Sequence, residues 1–260
     1  MTAVPICTPV SLPAHLQIPA ARRAGKINPA NLPLRPLGLL PTHLQGVLDP
    51  PHLAMLTSRY WGAGGVRLTV SFLEDVDQGL AQHILYHMNA WSDHCNVLFT
   101  LQGINSADGQ VRITLRGSGY WSYLGTDILL IPAGQPTMCL RDFDQGMPES
   151  EFVRVIRHEA GHGLGMIHEH LRRQRVAQLD RQKTIAYFMR TQGWSAREVE
   201  QQVLTPVEDW ELIETPEADE DSIMCYQLPG EITLDGQPIR GGTDIDDADA
   251  ELAGSVYPKV

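Results

Sequence analysis

Alternating hydrophobic and polar residues mark three predicted strands in the first half of the chain. The apolar positions of these runs are Val66, Leu68, Val70 and Phe72, then Val97, Phe99 and Leu101, then Val111, Ile113 and Leu115. Because neighbouring side chains of a strand point to opposite faces, this spacing gives each strand one apolar face. The continuous apolar run 128–131 predicts a further strand of a mixed sheet. Pro132 follows it, which suits an exposed edge where an extended peptide can add.

Helical spacing appears in two places that flank these runs. Apolar residues recur after Asp75 and Asp77, either of which can be the N-cap, at Leu80, Ile84, Met88 and Trp91. A second helix is predicted to begin near Ser150, where Glu149 and Glu151 suit the positive end of the helix dipole. Its apolar residues are expected to face the sheet: Phe152, Val155 and Ile156.

The last third of the chain carries weaker signals. Ser195 and Glu198 have the spacing of a capping box and predict one short helix. A final helix is predicted from Ala248, Leu252 and Val256, and it ends before Pro258. The sequence therefore predicts an α+β upper lobe, about residues 58–165, with a mixed twisted sheet, a backing helix and the helix near Ser150. A less regular lower lobe is expected at about residues 166–260.

Residues 1–57 differ in texture from the domain predicted at 58–260. Prolines recur up to Pro50-Pro51 and little periodicity is sustained. We predict either a disordered arm or a segment that lies extended over the folded domain. The first twenty residues lack the basic start and apolar core of a secretory signal.

The composition of the chain limits the classes of partner that it can bind. The formal net charge of −11 argues against a nucleic acid and against an anionic membrane surface, which both need clustered positive charge. No apolar run is long enough to predict insertion into a membrane. The densest basic group is Arg172, Arg173 and Arg175, and we expect either ion pairs with the acidic lobe or contacts with substrate carboxylates.

One stretch predicts a catalytic metal. His158 and His162 are four residues apart, so on a helix both imidazoles can bind one ion, and Glu159 can reach a water on that ion. Gly165 offers a residue without a Cβ for a left-handed helix end, and the reversal brings His168 back as the third ligand. Three neutral nitrogens leave a fourth position open, which is typical of a catalytic zinc site with one Zn²⁺.

The other histidines give weaker signals. His83 and His87 are a second pair with helical spacing, but neither a Glu nor a third His accompanies them in the sequence. We therefore expect them to be exposed or packed in the core rather than to bind a metal. His170 is expected to be structural.

These motifs resemble the astacin branch of the metzincin peptidases. Glu169 follows the third His as in astacins, and Ser222-Ile223-Met224-Cys225-Tyr226 is similar to the astacin Met-turn. Weaker similarities begin at Trp61, Gly119 and His168. The resemblance implies a metzincin-like zincin fold with a lower-lobe Met-turn. It implies that Met224 packs beneath the ligands and that Tyr226 is an additional metal ligand that swings away to stabilise the transition state.

The resemblance also raises three questions. Metzincins are commonly made as latent precursors. Cys7, or Asp49 as a carboxylate alternative, can fill the open zinc position. The other interpretation is that the N-terminal segment packs on the domain without inhibiting it. Glu169 is expected either to anchor a newly cleaved N-terminus or to pair with an Arg. Astacins usually have two disulfides, and this chain has one cysteine of each, Cys95 and Cys139. A disulfide between these two cysteines is therefore an alternative.

The sequence thus predicts a zinc-dependent endopeptidase that hydrolyses internal peptide bonds of proteins. Glu159 is expected to take the proton of the zinc-bound water and deliver it to the leaving amine, with Tyr226 stabilising the oxyanion. The alternatives are a noncatalytic zinc-binding interaction module and a protease effector with one dedicated substrate. A monomer is expected. The family resemblance favours secretion, whereas the few cysteines and the missing signal favour the cytoplasm or a nonstandard export route.

Overall fold

A mixed five-stranded sheet is the centre of the upper lobe in the computed structural model, which describes residues 7–8, 10–32, 57–206 and 219–259. The strands are β1 (Val66–Phe72), β2 (Val97–Ile104), β3 (Val111–Thr114), β4 (Tyr120–Ser122) and β5 (Met138–Leu140). Their order is β2-β1-β3-β5-β4. All pairs are parallel except β4 with β5, which is antiparallel. This agrees with the predicted mixed sheet of an α+β protein.

The prediction of a strand at 128–131 is wrong. Gly125–Leu130 is a 3₁₀ helix, in which Ile128 is buried in the main core. Ile131, after it, packs in a separate cluster against the N-terminal segment. A short apolar run does not distinguish a buried strand from a buried helical turn. Here the residues of the run pack in two different hydrophobic clusters. The antiparallel edge of the sheet is β4 instead.

Three helical segments precede or flank the sheet. The first is α1 (Ala14–Ile27), and α2 (Gln78–Met88) lies behind the sheet with Asp77 as its N-cap. The third consists of α3 (Glu149–Glu151), a π-helical segment (Phe152–Ile156) and α4 (Arg157–Leu164). Because it carries His158 and His162, it is called the active-site helix. Its apolar residues Phe152, Val155 and Ile156 belong to the same buried core as the sheet, as predicted.

Helix α1 corrects the expectation for the N-terminal residues, which predicted no regular structure. Its buried face is formed by small residues, Ala20, Ala21 and Ala24, although Pro19 lies inside the helix. Pro19 removes one backbone donor and hides the periodicity from a sequence reading. Nearby, Leu12 and Ala20 share the small cluster that contains Ile131. The segment therefore lies on the folded domain in part as a helix rather than extended.

Short helices and turns form the part of the chain that follows the active-site helix. These are α5 (Arg173–Val176), α6 (Arg181–Gln192), α7 (Ala196–Val199), a π-helical segment (Glu200–Leu204) and α8 (Asp247–Val256). The capping box of Ser195 and Glu198 is present, and Asp246 and Asp249 form a second one at α8. Within the described ranges, none of the helices combines the length and apolarity needed to cross a membrane.

Candidate active site

Three histidines converge where the active-site helix ends. His158 and His162 lie on α4, and Gly165 ends that helix with a φ of 104°. The left-handed residue turns the chain so that His168 returns to the two others, as predicted. The Nε2 atom of His168 is 3.1 Å from that of His158 and 3.0 Å from that of His162. A Cβ at Gly165 would lie 3.0 Å from the Tyr60 ring, so the turn has little room for another residue.

Backbone carbonyls fix the orientation of two of the rings. His158 Nδ1 lies 2.7 Å from the Ile223 carbonyl oxygen, and His162 Nδ1 lies 2.7 Å from that of Met166. A carbonyl only accepts, so each Nδ1 carries the proton and each Nε2 presents a lone pair to the centre of the cluster. Lone pairs that face one another at 3 Å repel unless a cation lies among them.

Burial keeps these rings in the form that binds metals. It lowers the pKa of His162 to about 4 and lowers the pKa of His158 and of His168 well below the usual value. All three are neutral at pH 7 as a result. Neutral imidazoles with fixed Nδ1–H donors are suitable ligands for zinc. The residues present therefore fit a Zn²⁺ ion.

Glu159 is the buried carboxylate of the site. Its residue exposure is 1%, and neither carboxylate oxygen has a hydrogen-bond partner of normal geometry among the described residues, although the Cys7 thiol is near enough to interact with it. Burial raises the pKa of Glu159 to about 8, despite the lowering effects of the Cys7 thiol and of Arg154. A buried carboxylate without a partner is costly, which is typical of a functional group whose partner is a water or a substrate.

The turn beneath the ligands contains Met224. A Cβ added at Gly161 would lie 2.7 Å from the Met224 sulfur, so the thioether packs directly under the ligand-bearing helix. Asp249 of α8 holds this turn: it accepts from the Ser222 hydroxyl at 2.7 Å and from the Ile223 amide at 2.8 Å. The Ile223 carbonyl in turn orients His158. The Met-turn is therefore tied both to the ligands and to the last helix.

Comparisons with known proteins identify this arrangement. The profile of the astacin peptidase family matches residues 55–227. The chain belongs to the astacin family. It is a metalloendopeptidase, and astacins use one catalytic zinc ion.

Solved structures agree with that assignment. A structure of myroilysin matches with a TM-score of 0.71 and 29% identity, covering 78% of this chain and 97% of that one. A crystal structure of myroilysin matches with a TM-score of 0.59 and 29% identity over 78% and 87% of the two chains. High choriolytic enzyme 1, a hatching enzyme zinc-protease from the medaka fish Oryzias latipes, shares the fold, with a TM-score of 0.52, 16% identity and coverage of 76% and 93%. No curated protein matches the chain significantly.

A thiol from the N-terminal segment lies beside the three histidines of this astacin. Cys7 Sγ and one nitrogen each of His158, His162 and His168 all lie within 4.8 Å of one another, and all four residues are buried. The backbone of the segment pairs with the sheet edge, because the Thr8 amide donates to the Tyr120 carbonyl at 2.8 Å. Asp49, the alternative ligand, lies outside the described residues.

Tyr226 contacts both the N-terminal segment and the ligands. Its hydroxyl donates to the Cys7 carbonyl oxygen. Its ring stacks on His170 with centroids 3.8 Å apart and lies 4.5 Å from the His168 ring. His170 itself is buried, and burial lowers its pKa to about 3, which agrees with the structural role expected for it. In this state Tyr226 is engaged by the segment that covers the site.

Glu169 lies beside an arginine. Its carboxylate is 3.4 Å from Arg172 Nη1 and accepts from the Asp219 amide at 2.9 Å. This is the pairing expected for a chain that has not been cleaved. Arg175 lies 3.8 Å from Glu220, so this part of the basic group also faces acidic residues of the lower lobe.

All four cysteines are buried free thiols. The pair between Cys95 and Cys139 that the sequence left open is therefore not formed. Burial raises the pKa of each of these two thiols to about 11, so they are protonated and inert at neutral pH.

Several residues around the site could not be predicted from the sequence. Asp249 holds the Met-turn, Tyr120 pairs with the N-terminal segment, and Arg154 lines the cavity that contains Cys7 and Glu159. Only the capping-box spacing of Asp246 and Asp249 was a readable signal for one of them. The others depend on contacts between distant parts of the chain.

Proposed function

We propose that this metalloendopeptidase is a latent enzyme, in which Cys7 fills the position that substrate needs at the zinc ion. The observation that carries the proposal is the cluster of Cys7 Sγ with the three histidine nitrogens within 4.8 Å. Sulfur and imidazole nitrogen are the donors that zinc prefers, and four of them form a closed site without room for a reacting water. Residues 1–57 would then be the inhibitory segment of a catalytic domain at 58–260.

In the active enzyme, His158, His162 and His168 would hold the zinc ion through Nε2. Zinc bound there is a Lewis acid, which acidifies water and polarises a carbonyl group. The carbonyl oxygens of Ile223 and Met166 keep two of the rings in the tautomer that binds metal. The Met-turn supports the same rings from below.

Glu159 is the proposed general base. It is next to the first ligand in sequence, and the thiol whose hydrogen bonding lowers its pKa is that of Cys7, which would leave with the N-terminal segment. It would accept the proton of the attacking water and deliver it to the leaving amine. Its buried environment raises its proton affinity, which suits a group that both takes and returns a proton near neutral pH.

Tyr226 is the proposed oxyanion donor. In the latent state its hydroxyl donates to the Cys7 carbonyl. When the segment leaves, that donor becomes available to the carbonyl of a scissile peptide. An additional role of Tyr226 as a metal ligand stays a prediction.

The sheet edge at β4 is the proposed docking site for the substrate backbone. The N-terminal segment already uses it, through the hydrogen bond from Thr8 to Tyr120. An extended peptide of a protein substrate can bind the same backbone groups by adding as a strand. Secretion of the enzyme, a monomeric state and a dedicated single substrate remain predictions.

The experiment compares the full-length wild-type protein with the Cys7→Ala variant on an unfolded protein substrate, with and without a chelator. Cys95→Ala is the matched control, since it also removes a buried thiol but lies away from the histidine cluster. We expect Cys7→Ala to cut at least about tenfold faster than the wild type. A tenfold change requires the loss of only about 1.4 kcal/mol of the free energy with which Cys7 stabilises the blocked site. Cys95→Ala should cut as slowly as the wild type.

Two outcomes would contradict parts of the proposal. If Cys7→Ala stays as slow as the wild type while proteolytic removal of the segment restores chelator-sensitive cleavage, Cys7 is not the blocking ligand. If no form cuts protein although each binds zinc, a noncatalytic zinc-binding module becomes the better interpretation.

A further inference from the structure

A second cluster of metal-binding side chains lies at the other end of the active-site helix. His83 and His87 are one turn apart on α2, and Glu149 is the first residue of α3. The sequence predicts no metal at the two histidines because neither a Glu nor a third His accompanies them there, but the fold brings Glu149 to both. His83 Nε2 is 3.0 Å from one oxygen of Glu149, and His87 Nε2 is 3.0 Å from the other. The two Nε2 atoms are 3.2 Å apart.

Protons alone cannot satisfy these three contacts. An ionised carboxylate only accepts, so each ring must place a proton on Nε2 to bond Glu149. The two Nε2–H groups would then face each other at 3.2 Å as donor against donor. If one ring instead donates to the other, it loses its bond to the carboxylate. A cation among the two Nε2 atoms and the two carboxylate oxygens satisfies all of them.

The spacing matches zinc. Ligand atoms about 2.0–2.1 Å from a tetrahedral zinc ion lie roughly 3.3 Å apart. The two Nε2 atoms are 3.2 Å apart, and each is 3.0 Å from a different oxygen of Glu149, so both oxygens lie at ligand spacing from a ring nitrogen. The catalytic histidines of the same chain show 3.0 and 3.1 Å between their Nε2 atoms. Two histidines with one Glu are also an established ligand set for zinc.

The rings are held in place by their neighbours. His83 stacks on Phe152 with centroids 4.1 Å apart and an interplanar angle of 22°. The His87 side chain is 1% exposed, and burial lowers its pKa, which favours the neutral form that binds metal. Glu149 is 62% exposed, so a fourth ligand can come from solvent.

We propose that His83, His87 and Glu149 bind a second divalent zinc ion, which joins α2 to the first turn of the active-site helix. His87 Nδ1 is buried and has no hydrogen-bond partner among the described residues, whereas two catalytic rings bond backbone carbonyls. Losing such an outer partner weakens metal binding by about 10- to 100-fold. The second ion is therefore expected to exchange more readily than the catalytic one. Its presence does not depend on the proposed latency.

The test measures zinc per chain in tag-free, full-length protein that has been dialysed against micromolar free Zn²⁺. We expect two zinc ions in the wild type and one in each of His83→Ala and Glu149→Gln. The controls are His94→Ala, an exposed histidine outside the cluster, and Glu151→Gln, in the same helical turn as Glu149. Both controls should keep two ions.

A second measurement covers the case in which His83→Ala disturbs folding. Raising free Zn²⁺ above one equivalent should raise the thermal midpoint of the wild type and of Glu151→Gln, but not that of the isosteric Glu149→Gln. One zinc ion per wild-type chain would overturn the proposal. So would a second ion that persists in both Glu149→Gln and His83→Ala, because it would then lie elsewhere, for example at the catalytic centre.

Discussion

Glu159 combines the proposed role of general base with an unfavourable environment. The carboxylate is buried without a hydrogen-bond partner among the described residues, and burial raises its pKa to about 8. Such a group lowers the stability of the fold and is retained where chemistry needs it. Its effects on activity and on stability should therefore have opposite signs.

We expect Glu159→Gln, made in the Cys7→Ala background, to lower the rate of peptide cleavage by at least about a hundredfold, the low end for loss of a general base. Zinc content should be unchanged, since Glu159 is not among the clustered donor atoms. The thermal midpoint should be equal or higher, because an amide is cheaper to bury than a carboxylate. Cleavage at the parent rate with zinc bound would rule out the role of base.

Residue identities and spacings carried most of the information about the catalytic trio. Positions 158, 162 and 168 predicted one cluster because helix geometry and the Gly165 turn act over a few residues. The site at His83 and His87 could not be recognised in the same way. Its third member, Glu149, is far away in sequence, and only the packing of α2 against the active-site helix makes them neighbours.

At the scale of elements, Asp249 connects the last helix with the first ligand. It is buried and accepts from Ser222 and from the Ile223 amide, while the Ile223 carbonyl orients His158. Removing the carboxylate leaves these donors buried without a partner. That is costlier than the loss of an exposed hydrogen bond.

We expect Asp249→Ala to lower the free energy of unfolding by about 2 kcal/mol or more, since each unsatisfied buried donor costs about 1–3 kcal/mol. Affinity for the catalytic zinc should fall as well, by about tenfold or more, because the ring of His158 loses its support. Urea unfolding and competition with a chelator measure the two effects. Asp247→Ala, at an exposed position of the same helical turn, is the control, and equal stability of the two variants would contradict the argument.

Hydrophobic periodicity correctly predicted the elements that bury a single apolar face. It did not predict the run that packs in two clusters or the helix whose buried face is alanine. Strand β1 and helix α2 have one apolar side and were found where expected. The prediction of a strand at 128–131 was wrong because Ile128 faces the main core and Ile131 faces the N-terminal cluster. Helix α1 was missed because its buried face is alanine and it contains Pro19.

At the scale of the molecule, the N-terminal segment is attached to the domain at several points. Leu12 packs with Ile131, and Arg23 donates to the Leu129 carbonyl at 3.3 Å. Asn31 donates to the Tyr60 carbonyl at 2.7 Å. The catalytic metal would tie this segment to both lobes, because Cys7 and the histidines come from different parts of the chain. The fold should therefore be more stable with zinc than without it.

Removal of zinc is expected to lower the thermal midpoint by roughly 5–10 °C when free zinc had been a hundredfold above the dissociation constant. A ligand that binds only the folded state stabilises it, and at that ratio by about 2.7 kcal/mol. Calorimetry of Glu149→Gln isolates the catalytic ion from the second site. Chelator already saturated with zinc is the control, and an unchanged midpoint after full removal would show that the cluster does not depend on metal.

Under the proposed latency, the location of Cys7 on the same polypeptide as the histidines has a consequence for how activity begins. A tethered ligand acts at an effective concentration in the millimolar range, so dilute substrate competes poorly with it. A single cut in the chain between residues 32 and 57 would turn this into ordinary binding between two molecules. Inhibition by the released piece would then weaken on dilution, and a nicked preparation would gain specific activity simply as its concentration falls.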